Sequence, residues 1–233
     1  MGTLYLLPTL LSEGTMEQVL PPYVKNSIQS IRYFIVENVR STRRFISSME
    51  LDIQIDDLTF FELNKHTPAE NIAGFLKPLQ AGHSMGLVSE AGLPGIADPG
   101  SEIVKLVHKQ GLHVKPITGP SSIFLALMAS GLNGQNFAFN GYLPIQKAER
   151  LQSIRKLEKR SRDEQQSQLF MEAPYRNNQL LDDILKSCRG NTLLCIAMEL
   201  TSENEFIKTK TVDQWKKKRP PLHKRPCIFI LQG

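Results

Sequence analysis

The chain has 233 residues, 41% of them hydrophobic and 22% charged, with a formal net charge of +5. That is the balance of a globular protein able to bury a substantial core. No apolar run approaches the roughly 18 residues of a membrane span, so no bilayer-embedded segment is expected. Cys188, Cys195 and Cys227 form no CxxC pair, and the five histidines lack HExxH spacing. A disulfide framework and a metal centre are therefore both disfavoured, and a reducing cytoplasm fits.

The apolar start, "TLYLLP" (3–8), has no basic residue before it and no small-residue cleavage site after it, so it reads as a buried first strand and not a signal peptide. A helix is predicted over 16–31, then a strand over 33–37. The next helix, 40–49, opens on the basic cluster Arg40–Arg44, "RSTRR". A strand at 59–63, a helix at 68–80, a strand at 84–89, a helix at 100–110 and a strand at 113–118 complete one α/β set. The second set alternates helices at 121–130, 147–160, 176–187 and 211–218 with strands at 136–143, 167–173, 192–199, 205–211 and 227–232. The polar run 155–168 is expected to be the mobile end of a helix or a fraying loop. This alternation predicts an α/β protein of two small domains with mainly parallel sheets, residues 1–118 and 119–233, hinged near "TGPSS". A cleft between two such domains is a favoured ligand site.

Two loops stand out. "LVSEAGLPGIADPG" (87–100) leaves a strand with three glycines, two prolines and almost nothing bulky. Gly92 and Gly95 can take positive φ, Asp98 reads as a helix N-cap, Pro99 as the first helical residue and Gly111 as the helix stop. "PITGPSS" (116–122) repeats the strand–loop–helix design and offers backbone N–H groups and hydroxyls at a helix N-terminus. In open α/β sheets this carboxyl end of the strands is where ligands bind. Neither loop matches a P-loop or a GxGxxG fingerprint, and no GxSxG elbow is present, so any cofactor is held differently. Near the C-terminus, eight Lys/Arg and a single acid, Asp213, lie between Lys208 and Arg225. Such clustering is the footprint of a phosphate-bearing partner, or else a solvated face.

"LYLLPT", "GLVSEAGLPGIADPGSEIV", "PITGPSSIFLALMASGL", "FNGYLP", "MEAPYR" and "AMELT" occur in the order and spacing of the tetrapyrrole (corrin/porphyrin) methylase superfamily. The chain most resembles its ribosomal RNA small-subunit methyltransferase I branch. The resemblance spans the chain to about Thr211. It implies a two-domain methyltransferase, not of the Rossmann type, usually a homodimer, that takes S-adenosylmethionine into the inter-domain cleft. By motif, the cofactor contacts would be Pro8, Ser89, Glu90, Ala91, Gly92, Ser121, Ser122, Met171 and Ala197, with no metal. The implied acceptor is the ribose 2′-hydroxyl of a cytidine in small-subunit ribosomal RNA.

Methyl transfer from a sulfonium depends on alignment more than on a metal, and a hydroxyl acceptor profits from a general base. Glu90 is the candidate carboxylate near the cation. Glu37, Lys65 and Glu172 sit at or near strand ends and are candidates for the base, with nothing in the sequence to select one. The chain departs from the branch where substrate contacts are expected: "LLSEGTMEQ" replaces an "IGNLED"-like run, "ENVR" replaces "EDTR", "FELNKH" replaces "HEHNE" and "EAPYR" replaces "EAPHR". Two other readings therefore stay open, a tetrapyrrole or other small-molecule acceptor, and a family member that binds cofactor without turnover.

Overall fold

The computed structural model describes residues 2–64 and 67–233. They form two compact units, Met1–Ser121 and Ser122–Gly233.

The first unit runs β1 (Thr3–Leu7), α1 (Met16–Val19), α2 (Pro22–Gln29), β2 (Tyr33–Val36), α3 (Val39–Ser47), β3 (Thr59–Glu62), α4 (Ala69–Ile72), α5 (Lys77–Gln80), β4 (Met85–Val88), α6 (Gly100–Lys109) and β5 (His113–Pro116). Its sheet has the order β3-β2-β4-β1-β5, with every pairing parallel. Alternation along each strand sends side chains to two cores. Leu7, Phe34, Val36 and Val88 pack with Val24 and Ile28 of α2 and Ile46 of α3. Leu4, Ile35, Met85 and Leu87 pack with Leu79 of α5 and Ile103 and Val107 of α6. A sheet buried on both faces explains why its strands read as nearly continuous apolar runs. β1 and β4 are neighbours, yet the helices that follow them lie on opposite faces, so a topological switch point opens between their carboxyl ends.

Local chemistry moves several predicted boundaries. The helix expected over 16–31 is two helices, because Pro21 sits in extended geometry (φ −61°, ψ 147°) and Pro22 starts α2, and prolines interrupt the hydrogen-bond ladder. The stretch expected as one helix over 68–80 is likewise divided, into α4, a 3-10 turn at Ala73–Leu76 and α5 with Pro78 in its first turn. Pro99, expected as the first helical residue, occupies the cap position of α6. Asp98 still caps, one place earlier than expected: its Oδ1 accepts from Gly95 N at 2.9 Å and from Gly100 N at 2.6 Å. Gly111 takes φ +66° directly after α6, as the helix stop requires.

The second unit runs α7 (Ser122–Ser130), β6 (Phe137–Tyr142), α8 (Lys147–Glu164), β7 (Ser167–Met171), α9 (Asn177–Ser187), β8 (Leu193–Met198), β9 (Phe206–Thr211), α10 (Val212–Lys217) and β10 (Cys227–Gln232). Its sheet order is β6-β7-β10-β8-β9. Here only β6–β7 is parallel, and the β7–β10, β10–β8 and β8–β9 pairs are antiparallel. The mainly parallel character of the chain is thus carried by the first sheet. In the second, β8 and β9 are joined by a loop too short for a helical crossover, which forces antiparallel pairing. One face packs on α8, α9 and α10 through Ile154, Ile184, Trp215 and Phe229. The other face carries Thr209, whose Oγ1 donates to Ser130 O at 2.6 Å and so seats the end of α7.

The run 155–168, expected to be mobile, is helical to Glu164 and enters β7 at Ser167. Its buried Glu158 explains the order: the carboxylate accepts from Arg189 N at 2.7 Å and from the Thr192 hydroxyl. A second buried charge, Arg150, pairs with Asp183 at 2.7 Å with both side chains at most 3% exposed. Arg150 also donates to Ile145 O at 2.6 Å, pinning the β6–α8 loop. Removing one partner of such a pair strands the other charge. Asp183→Ala is therefore expected to cost about 3–5 kcal/mol, read as a lower urea midpoint, whereas Asp163→Ala, at an exposed pair, should change stability by less than about 1 kcal/mol.

Candidate functional site

The carboxyl ends of β1, β4 and β5 are drawn together by two backbone contacts. Thr9 N donates to Gly92 O at 2.9 Å, and Gly92 can present that carbonyl because its φ is +72°. Gly119 lies directly against the ring of Pro8: a Cβ placed there would stand 2.1 Å from Pro8 Cβ. No side chain fits, so glycine at 119 is a requirement of the close approach. Pro8, Ser89, Glu90, Ala91 and Gly92 are thereby gathered at one edge of the first sheet.

Between the loops after β1 and β4 lies a cavity of about 440 Å³, at the switch point of the sheet. Its walls are the segment Thr9–Gly14, the face of α3 bearing Ser41, Thr42, Arg44, Phe45 and Ser48, and Ser89–Ala91. Apolar surface from Leu10, Leu11 and Phe45 alternates there with hydroxyls and with the charges of Glu13, Glu90 and Arg44. That mixture and volume suit a nucleoside-sized ligand with a cationic group. Sequence reasoning missed the α3 wall, and it gave the Leu10–Gly14 wall, the start of "LLSEGTMEQ", to substrate contacts. The basic "RSTRR" run was visible, but its place beside the Ser89 loop depends on strand order.

A wider depression of about 890 Å³ adjoins it, lined by Glu37, Asn38, Glu62, Asn64, Glu90 and Asp98 among others. Glu90 borders both spaces. Glu37, directly after β2, accepts from Glu90 N at 3.2 Å while its own N–H donates to Val88 O at 3.2 Å. Asp98 is held above the usual carboxylate range, mainly by burial, with its bonds to Gly100 and Gly95 opposing that and the Glu37 charge adding to it. Among the carboxylates of this edge, the Glu37 charge thus acts on Asp98.

The other described residues of the prediction stand at the end of the first unit or in the second. Ser121 ends the first unit and Ser122 begins α7 of the second. Met171 and Ala197 both pair with Ile228, so they stand in one row on one face of the second sheet, two strands apart. Ala197 is buried there. Glu172 is 4% exposed, donated to by Ala173 N at 2.7 Å and by Arg176 Nη2 at 2.5 Å. This engagement raises the Arg176 pKa and identifies Glu172 as an anchor for that arginine. Lys65 lies outside the described residues. All three cysteines are buried, and burial pushes the Cys227 thiol up to about 12, far from a nucleophile's range.

Residues 26–215 match the profile of the tetrapyrrole (corrin/porphyrin) methylases. The chain belongs to this family. It is 34% identical over 209 residues to the ribosomal RNA small subunit methyltransferase I of Bacillus subtilis (strain 168), covering 89% of this chain and 67% of that protein. With the protein of the same name from Halalkalibacterium halodurans it shares 32% over 213 residues, 91% of this chain and 69% of that one. The fold is similar to that of the methyltransferase CobJ, with a TM-score of 0.66 at 13% identity over 100% of this chain and 95% of the other. It is also similar to uroporphyrin-III C-methyl transferase from Thermus thermophilus, complexed with S-adenyl homocysteine, with a TM-score of 0.56 at 14% identity over 100% and 98% of the two chains. The protein is an S-adenosylmethionine-dependent methyltransferase.

The Gly119–Pro8 contact fixes the chain immediately before Thr9, which begins one wall of the cavity. Gly119→Ala is expected to destabilise the chain by about 1–3 kcal/mol through overpacking and to weaken S-adenosylmethionine binding in calorimetry. Gly134→Ala, where an added Cβ meets nothing within 4 Å, should leave affinity unchanged.

Proposed function

We propose that the protein transfers the methyl group of S-adenosylmethionine to small-subunit ribosomal RNA, at the ribose 2′-hydroxyl of a cytidine. The observation that carries this reading is the alignment over about nine-tenths of the chain with proteins named ribosomal RNA small subunit methyltransferase I. The retained cofactor loops and the basic segment Lys208–Arg225 support it. A tetrapyrrole acceptor draws weaker support, from the family's name and from solved structures that share the fold. We assign Thr9, Ser89, Glu90 and Ala91 to the cofactor at the switch-point cavity. Pro8, Gly92, Ser121, Ser122, Met171 and Ala197 are further contacts to be tested by substitution.

Bound there, the cofactor supplies an electrophilic methyl group on a sulfonium, and Glu90 and Glu13 offer negative charge suited to that cation. The remaining work is done by the chain. The acceptor hydroxyl must be aligned with the methyl group and must lose its proton. Glu37 is our candidate for that base: the Glu90 N–H fixes its carboxylate at the border of the wider depression, where the acceptor proton can pass to it. Glu172, sequestered by Arg176, is suited to positioning instead. We also assign the protein to the cytoplasm, where buried free thiols remain reduced. We further assign it as a homodimer, a state that would cover the exposed Phe124 and Met128 of α7.

The deciding experiment is transfer of labelled methyl from S-adenosylmethionine to small ribosomal subunits that lack the modification, beside a tetrapyrrole. Label in a cytidine ribose is expected, and label in the tetrapyrrole alone would overturn the RNA reading. Glu37→Gln should lower kcat by about 10²–10⁴-fold with cofactor affinity retained in calorimetry. An undiminished kcat would remove Glu37 from the base role.

A further inference from the structure

The strongest basic feature of the second unit is a groove of about 470 Å³ running along β9 and the loop after α10. β9 is the edge strand of its sheet. Its alternate residues Phe206, Lys208 and Lys210 stand on the face that carries Trp215, since residues two apart on a strand share a face. The groove floor is rigid: Trp215 is 1% exposed, its Nε1 donates to Leu194 O at 2.8 Å, and Lys210 Nζ sits 4.7 Å above its ring. Pro220 and Pro221 stiffen the opposite lip.

Five cations and one acid line this groove; the acid, Glu205, accepts from Thr201 N at 2.8 Å, and the ion pairs separate the cations into two kinds. Arg219 is committed to Asp182 and Arg225 to Glu199. Arg225 also donates to Asn204 O at 3.1 Å, so it braces the loop between β8 and β9. Lys208, Lys210 and Lys218 have no ion-pair partner among the described residues. Three ammonium groups that line one groove without an ion-pair partner repel one another, and an incoming polyanion relieves that repulsion. Edge-strand lysines also discourage strand addition, but that role needs neither Lys218 nor a walled groove. Point charges without a bidentate fork suit successive phosphodiesters better than a single planar anion.

We propose that this groove is a docking track for the phosphodiester backbone of the RNA acceptor, with Lys208, Lys210 and Lys218 as its phosphate contacts. The inference rests on the RNA reading above and adds a binding site separate from the switch-point cavity.

The test compares the wild type, the triple variant Lys208→Gln/Lys210→Gln/Lys218→Gln and the control Lys216→Gln, whose lysine already pairs with Asp213 at 2.9 Å. Anisotropy of a labelled small-subunit ribosomal RNA fragment is measured over a salt series, with thermal melts to verify folding. Each phosphate contact contributes about 0.7–0.9 to the slope of log K against log salt, so the triple variant should lose about 2–3 units of slope. Its affinity at low salt should fall more than about tenfold, with cofactor binding retained. An unchanged slope and affinity, or a wild type whose RNA binding ignores salt, would overturn the track. Salt-dependent RNA binding through these lysines without methyl transfer would sink the proposed activity and leave the track standing.

Discussion

Parallel pairing of all five strands in the first unit is the constraint on which its chemistry depends. Parallel strands send every strand-to-helix loop out of one edge, and the reversal between β1 and β4 parts two of those loops into a cavity. Backbone polar groups at such an edge must be satisfied. Thr9 N meets Gly92 O and Glu37 N meets Val88 O, so the loops are bound to one another by the same bonds that satisfy them. The bare sequence after β4 follows from this: bulk at Gly92 or Gly119 would separate chains that have to touch.

The second unit solves a different problem. Its sheet, antiparallel at three of four junctions, takes α7 on one face and α8, α9 and α10 on the other. Buried charges hold its connections: Glu158 ties the Arg189–Thr192 turn to α8, and Arg150 ties the β6–α8 loop to α9 through Asp183. Such groups stabilise only when every partner is present, which makes them fixed points. The cations at its edge divide by the same principle. Arg219 and Arg225 have internal partners, while Lys208, Lys210 and Lys218 have no ion-pair partner among the described residues.

Much of this was legible from residue order alone. All ten strands could be placed because each is a short apolar or alternating run between turn signals. The bare loop at 89–99 announced a close backbone approach through its glycines and prolines, and Gly92 meets Thr9 there. The helix breaks at Pro22 and Pro78 were equally available in principle, but apolar periodicity continued across them and masked the interruption. The polar run 155–168 misled because its composition is that of a solvated segment. Its order comes from Glu158 and Ser161, whose partners are distant in sequence: Arg189, Thr192, Leu231 and Gly233.

The sequence by itself determined the α/β class, the family and the backbone-dense character of the loops after β4 and β5, since these are set by local propensity and by motifs contiguous in the chain. Tertiary structure alone decided that α3 walls the switch-point cavity, that Glu37 reaches the Glu90 N–H fifty-three residues away, and that Glu172 is consumed by Arg176. It also decided which lysines of the basic segment stay uncompensated. The reason is physical: strand order and ion pairing are properties of neighbours in space, and a carboxylate or ammonium acquires its role from the groups that the fold brings within reach.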